Sequence, residues 1–207
     1  MNTPATPTPP RRKLPIGIQT FREIREDNYY YVDKTSMAIE LIHTGKSYFL
    51  SRPRRFGKSL LLDTLKELFE GNRDLFTGLA AENTWDWSTR YPVIWINFGA
   101  GQLHSRAELD QRIEEILLEY ERAFGLQQVY HSISGRFTDL IRQMHLRTGQ
   151  RTVVLIDEYD KPILDNIDDR TTALAMREGL KNLYSVLKGA DAHLKFVLLT
   201  GVTKFSK

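Results

Sequence analysis

Short apolar runs alternate with stretches of helical periodicity along most of the chain. Tyr48, Phe49 and Leu50 form one run, residues 93–98 another after Pro92, and residues 153–156 and 196–199 two more. Each is too short for a helix and reads as a strand, and the four consecutive apolar residues 153–156 are the pattern of a strand covered on both faces. Residues 29–32, aromatic and β-branched, read as a further short strand. Residues 34–43 are apolar with helical spacing up to a stop at Gly45. Leu61, Leu65, Leu68 and Phe69 recur on one helix face before Gly71. Ser105 and Glu108 form a capping box ahead of Leu109, Ile113, Ile116, Leu117 and Tyr120, with Gly125 as the stop. Phe137, Leu140, Ile141 and Met144 stripe another helix, and Leu180, Leu183, Tyr184 and Leu187 the last.

Strands separated by helices of this length predict an α/β chain, with a mainly parallel sheet and helices on both sides. Such sheets bind ligands at the carboxyl ends of their strands. Any chemistry is therefore expected just after Leu50, Phe98, Ile156 and Leu199, and polar residues or Gly stand at all four places.

Composition narrows this picture. Of 207 residues 41% are hydrophobic, enough for a sizeable core. No apolar run approaches the length of a membrane span, and residues 1–13 lack the apolar core of a signal peptide. The chain has no Cys, which excludes disulfides, thiolate zinc sites and a cysteine nucleophile. The compartment expected by default is the cytoplasm. Pro4, Pro7, Pro9 and Pro10 mark residues 1–13 as an extended, disordered leader, and a single domain is expected over residues 14–207. The formal charge is +3, and Arg11, Arg12 and Lys13 account for all of it, so the body carries no basic nucleic-acid footprint. One basic cluster remains: Arg52, Arg54, Arg55 and Lys58.

That cluster lies in Ser51-Arg52-Pro53-Arg54-Arg55-Phe56-Gly57-Lys58-Ser59, between a strand and a Leu-rich helix. Strand, Gly-Lys-Ser and helix in this order are the context of a phosphate-binding loop. Backbone N–H groups around Gly57 face the phosphates, and the helix beginning near Lys58 turns its positive end to the same anion. Lys58 would reach the β- and γ-phosphates, and Ser59 would give its hydroxyl oxygen to Mg²⁺. The usual first Gly is replaced by Arg52, which Pro53 pushes toward an extended conformation needing no Gly. The competing reading is an ordinary basic turn.

The run 153–156 ends in Asp157-Glu158. Burying charge is costly, so two carboxylates at the end of a buried strand point to a polar site there. Asp157 is placed to hold Mg²⁺ through its water shell, and Glu158 to act as general base on a water attacking the γ-phosphate. Alternatively the strand simply exits into an acidic loop, with Asp160 two residues on. Thr200 and Thr203, after the run 196–199, are candidates to contact the γ-phosphate or the attacking water.

Leu14-Pro15-Ile16-Gly17-Ile18, Tyr31-Val32-Asp33-Lys34-Thr35, the loop through Leu60, Leu155-Ile156-Asp157-Glu158-Tyr159-Asp160-Lys161-Pro162 and Thr200-Gly201-Val202-Thr203-Lys204-Phe205-Ser206 resemble the bacterial AAA-ATPase-like family. The resemblance implies a P-loop NTPase three-layer αβα sandwich of the catalytic-Glu (AAA/STAND-like) type. It implies ATP and Mg²⁺ as ligands. Arg54, Arg55, Phe56, Gly57, Lys58, Ser59 and Leu60 would bind nucleotide, Ser59 and Asp157 the metal, and Glu158, Lys58 and Thr200 would be catalytic. It also implies that the Thr200 strand lies between the loop strand and the Asp157 strand. Family members continue into a helical region and often a PD-(D/E)XK nuclease-like domain, so the resemblance implies a C-terminally truncated chain.

The reading that follows is a Mg²⁺-dependent ATP-hydrolysing domain acting as a nucleotide-driven conformational switch. The alternative is a nucleotide-binding module with negligible hydrolysis that gates the nuclease-like domain. A third reading, direct nucleic-acid binding through the Arg52–Lys58 cluster, is disfavoured by the neutral body. Arg54 or Arg55 is a candidate arginine finger in cis, and Asp33 a candidate helix cap. Trp85, Trp87 and Trp95 are expected to pack rather than stack on bases, and the five His residues lack zinc-ligand spacing.

Overall fold

The computed structural model describes residues 12–203. The leader lies outside them except for Arg12 and Lys13, as do Lys204, Phe205 and Ser206 of the last motif. In chain order the elements are α1 (Phe21–Glu26), α2 (Thr35–Thr44), β1 (Ser47–Ser51), α3 (Lys58–Phe69), α4 (Ala81–Thr84) and β2 (Val93–Asn97). Then follow α5 (Arg106–Ala123), α6 (Ile133–Thr148), β3 (Thr152–Asp157), α7 (Lys161–Leu164), α8 (Arg170–Gly189) and β4 (Leu194–Gly201). No helix among the described residues is long and apolar enough to cross a membrane.

The four strands form one parallel sheet in the order β1-β4-β3-β2. The last strand in sequence is thus inserted between the loop strand and the Asp157 strand, as the resemblance implies. Strand residues alternate between two cores. Ile94, Ile96, Val154, Ile156 and Val197 pack with α5, α6 and α8, while Trp95, Val153, Leu155, Phe196 and Leu198 pack with the α2 and α3 side. Each fully buried aliphatic or aromatic side chain contributes about 1.5–3 kcal/mol. β3 is buried along its whole length, which is why its sequence is continuously apolar rather than alternating.

Local chemistry sets the boundaries. Ser105 Oγ accepts the Glu108 N–H at 3.2 Å, and the Glu108 carboxylate reaches back to the His104 N–H at 2.7 Å. The reciprocal arm of the capping box therefore lands one residue ahead of the cap. The outer edge of β2 is blunted by Tyr120, whose hydroxyl accepts the Trp95 N–H at 2.7 Å. Asp33 accepts the Thr35 and Ala80 N–H groups, so it caps α2 and ties it to α4. Trp85 packs edge-on against Phe69, and Trp87 lies on Phe76.

One expectation fails. Residues 29–32 are extended but form no strand. Tyr31 turns inward onto Phe21, with ring centroids 5.1 Å apart, while Tyr30 and Val32 face solvent. The Tyr30 N–H bonds to the Lys13 carbonyl instead of a sheet partner. The aromatic and β-branched composition that suggested a strand belongs to a segment laid across α1.

Arg136 on α6 and Glu121 on α5 form a buried two-pronged pair at 2.9 and 2.8 Å. Removing one partner strands the other charge, at a cost of about 3–5 kcal/mol. Glu121→Ala is expected to lower the unfolding free energy by about 3 kcal/mol, measured by urea denaturation. Adding Arg136→Leu should recover part of the loss.

Candidate functional site

The parallel register brings the carboxyl ends of all four strands together, with Ser51 beside Gly201 and Asn97 beside Asp157. The loop after β1 is fastened to the end of β4. The Arg52 N–H donates to the Gly201 carbonyl at 3.2 Å, and Ser51 Oγ to the Val202 carbonyl at 2.9 Å. Arg55 and Gly57 both adopt left-handed backbone, with φ of 67° and 74°. A Cβ at Gly57 would meet no atom within 4 Å, so the positive φ rather than crowding accounts for Gly.

α3 starts at Lys58 directly after Gly57, with no side chain capping it. Its first-turn N–H groups, those of Lys58, Ser59 and Leu60, therefore lack intrahelical acceptors and make an anion-seeking end. Lys58 is only 8% exposed, and its Nζ donates to the Arg52 and Pro53 carbonyls at 2.9 and 3.0 Å. The ammonium is thus folded into the loop it would serve. Phe56, in contrast, is 68% exposed, and Arg54 and Arg55 are exposed beside it.

Across β4, Asp157 is 2% exposed. Its Oδ1 accepts the Thr200 hydroxyl at 2.5 Å and the Glu158 N–H at 3.1 Å, while Oδ2 has no hydrogen bond among the described residues. Thr200 is itself fully buried, so its hydroxyl reaches Asp157 rather than the mouth of the site. Glu158 sits at φ 52°, a strained position for a non-Gly residue. Burial pushes its carboxyl above the ordinary range, and the Asp157 charge adds to this, against the opposing pull of Lys161, Arg54 and Lys58. The loop cations and the acidic pair therefore act on the same carboxylate.

Several residues of this site carried no individual signal in the sequence. Asn97 Oδ1 accepts the Gly99 N–H at 2.6 Å. A Cβ on Gly99 would stand 2.8 Å from Asn97 Oδ1 and 3.2 Å from Glu158 Oε2, so the bare backbone of Gly99 makes room for both side chains. Lys161 donates to the Gly101 carbonyl at 2.6 Å, and Asn166 to the Leu103 carbonyl at 2.7 Å, tying the loop after β2 to α7. The rule that chemistry follows each strand points to this loop after β2 but to no residue in it.

Asp160 is buried and accepts the Val202 and Thr203 N–H groups at 2.8 and 2.7 Å and the Thr203 hydroxyl at 2.9 Å. Thr203 is therefore engaged with Asp160, and the expectation that it contacts a phosphate or water gives way to a structural role. Tyr159 donates to the Thr203 carbonyl at 3.0 Å. Asp160 is thus no part of an acidic exit loop; it pins the chain leaving β4. A Cβ at Gly201 would stand 2.6 Å from the Tyr159 ring and 2.7 Å from Asp160 Oδ1. Gly201→Ala is expected to destabilise the fold by about 1–3 kcal/mol, read as a shift of the denaturant midpoint.

The comparisons with known proteins agree with this layout. A protein of Azotobacter chroococcum mcd 1, described as "Uncharacterized protein in vnfD 5'region", is 57% identical over 198 residues. The match covers 95% of this chain and 38% of that protein, so the chain spans well under half of its relative's length. The family model described as predicted AAA-ATPase matches residues 15–207. An α/β chain with a parallel four-stranded sheet, a Gly57–Lys58 loop after β1 and an Asp157–Glu158 pair at the end of β3, on either side of β4, it belongs to the AAA-ATPase-like family.

Proposed function

We propose that the chain is a Mg²⁺-dependent ATP-binding and ATP-hydrolysing P-loop domain, a three-layer αβα sandwich of the catalytic-Glu type. The observation that carries the reading is the placement of Lys58 and the Asp157–Glu158 pair around one strand, β4, with Lys58 and Arg54 both acting on the Glu158 carboxylate.

In this reading the N–H groups of Gly57, Lys58, Ser59 and Leu60 receive the β-phosphate oxygens. Lys58 gives up two neutral carbonyls, those of Arg52 and Pro53, for charged phosphate oxygens, an exchange toward stronger bonds. The residues fit a hard cation. Asp157 has one oxygen fixed by Thr200 and one uncommitted, and Ser59 offers a hydroxyl next to the phosphates. Mg²⁺ held by Asp157 and Ser59 would supply positive charge to neutralise the phosphates.

Glu158 takes a proton from water as the water oxygen bonds to the γ-phosphorus, and the bond to the ADP oxygen breaks. Its raised carboxyl makes it a better base, and desolvation supplies most of that change. Thr200 acts through Asp157 and is a positioning residue. Of the two loop arginines Arg54 is the one that acts on Glu158 and so the better candidate for stabilising developing charge, with Arg55 and Phe56 at the outer rim. Nucleotide turnover would switch the loops after β1 and β2, fastened to the end of β4 and to the α7 segment respectively, and an attached or partner domain would read that change.

Titration calorimetry with MgATP and MgGTP tests the reading. Lys58→Ala should weaken MgATP binding by about 100-fold or more, roughly 2.7 kcal/mol. Unchanged affinity would overturn the assignment of the loop. Glu158→Gln should keep MgATP affinity within a few-fold and lower turnover by about 10²–10⁴. Equal turnover in the two proteins would remove Glu158 from the base role, and no turnover in either would favour a binding switch.

A further inference from the structure

Helix α8 is apolar beyond what its core requires. Met176, Leu180 and Leu183 are buried in the core that α8 shares with α5 and α6. The next face around the helix carries Arg177, Lys181 and Lys188 and borders the core at Leu180 and Tyr184. Between this face and α7 lies a groove of about 690 Å³, floored by Tyr159, Ile163, Leu180 and Tyr184. Leu174, exposed one turn ahead of Arg177, prolongs the apolar surface.

The floor is mostly apolar, with one buried hydroxyl. The Tyr184 hydroxyl is shut off from solvent without a hydrogen-bond partner among the described residues, and burial holds its phenol well above the ordinary range. The rim is one-sided in charge. Lys181 has a loose ion pair with exposed Glu178 at 3.5 Å, while Arg177 and Lys188 have no ion pair among the described residues. None of these residues belongs to the nucleotide site, so the inference stands apart from the ATPase reading.

We propose that this groove docks an acidic amphipathic helix of a partner protein. Apolar side chains of the partner at helical spacing would fill the floor, and its flanking Asp and Glu would meet Arg177, Lys181 and Lys188. Arg177 and Lys188 are about 16 Å apart along α8, a reach of about three turns of partner helix. A nucleic-acid backbone would satisfy the cations but leave the floor uncovered, and a small anion would do the same. Tyr159 is both a wall of the groove and the neighbour of Glu158 in sequence, so a docked partner would press on the segment that carries the acidic pair.

Fluorescence anisotropy on residues 1–207, without nucleotide, tests this. The probe is a labelled synthetic helix of about four turns with Leu and Trp on one face and Glu on both flanks. Saturable binding is expected, weakened at least about 10-fold by the double variant Arg177→Glu/Lys188→Glu. Both changes are on exposed positions, and circular dichroism checks that the variant is folded. Replacing the probe's Leu and Trp by Ser should abolish binding, as should replacing its Glu by Lys. No binding of the Glu-flanked probe, equal binding of the Lys-flanked one, or binding that survives the Ser replacement or the charge reversal would each overturn the proposal.

Discussion

The hydrogen bond from Thr200 to Asp157 joins the two central strands at the end where the chemistry gathers. β4 enters the sheet last in sequence yet lies between β1 and β3, so it touches both halves of the site. On one side the carbonyls of Gly201 and of Val202 just after it hold Arg52 and Ser51, where β1 passes into the Gly57–Lys58 loop. On the other its Thr200 fixes Asp157 and its carbonyl holds the Tyr159 N–H. A buried carboxylate is tolerable only when hydrogen-bonded, and Thr200 meets that requirement while leaving one oxygen of Asp157 uncommitted.

The strain at Glu158 follows from this arrangement. The chain must turn sharply between Asp157, fixed to β4, and Asp160, which pins the residues leaving β4. The turn is closed by Tyr159 N–H bonding to the Thr200 carbonyl and by the Lys161 N–H returning to Glu158. Left-handed backbone at Glu158 is the consequence, and it holds the carboxylate beside Gly99 and Asn97. The energetic cost of that conformation, about 1–3 kcal/mol, is offset by the bonds that converge on Asp160.

Much of this was legible in the chain. The four strands stand out because a parallel sheet buried on both faces needs uninterrupted apolar runs, and residues 153–156 have no polar interruption. Lys58, Asp157 and Glu158 announce themselves as charges attached to such runs. Other features left no trace. Residues 29–32 have a strand's aromatic and β-branched composition, and only the presence of Phe21 under Tyr31 distinguishes a strap from a strand. α1 and α7, of six and four residues, are too short to show a helical period. The direction of the Thr200 hydroxyl and the work of Gly99 depend on neighbours brought in by β3 and β2, which no local pattern encodes.

In the proposed function the Gly57–Lys58 loop and Asp157 serve one bound nucleotide, with Asp157 acting through the metal. The most direct test compares ATP affinity with Mg²⁺ and with EDTA in the parent chain and in Asp157→Asn, a change that keeps an acceptor for Thr200. The parent is expected to bind ATP more tightly with Mg²⁺, and Asp157→Asn to lose this difference while still binding ATP. A full Mg²⁺ enhancement in Asp157→Asn would contradict it.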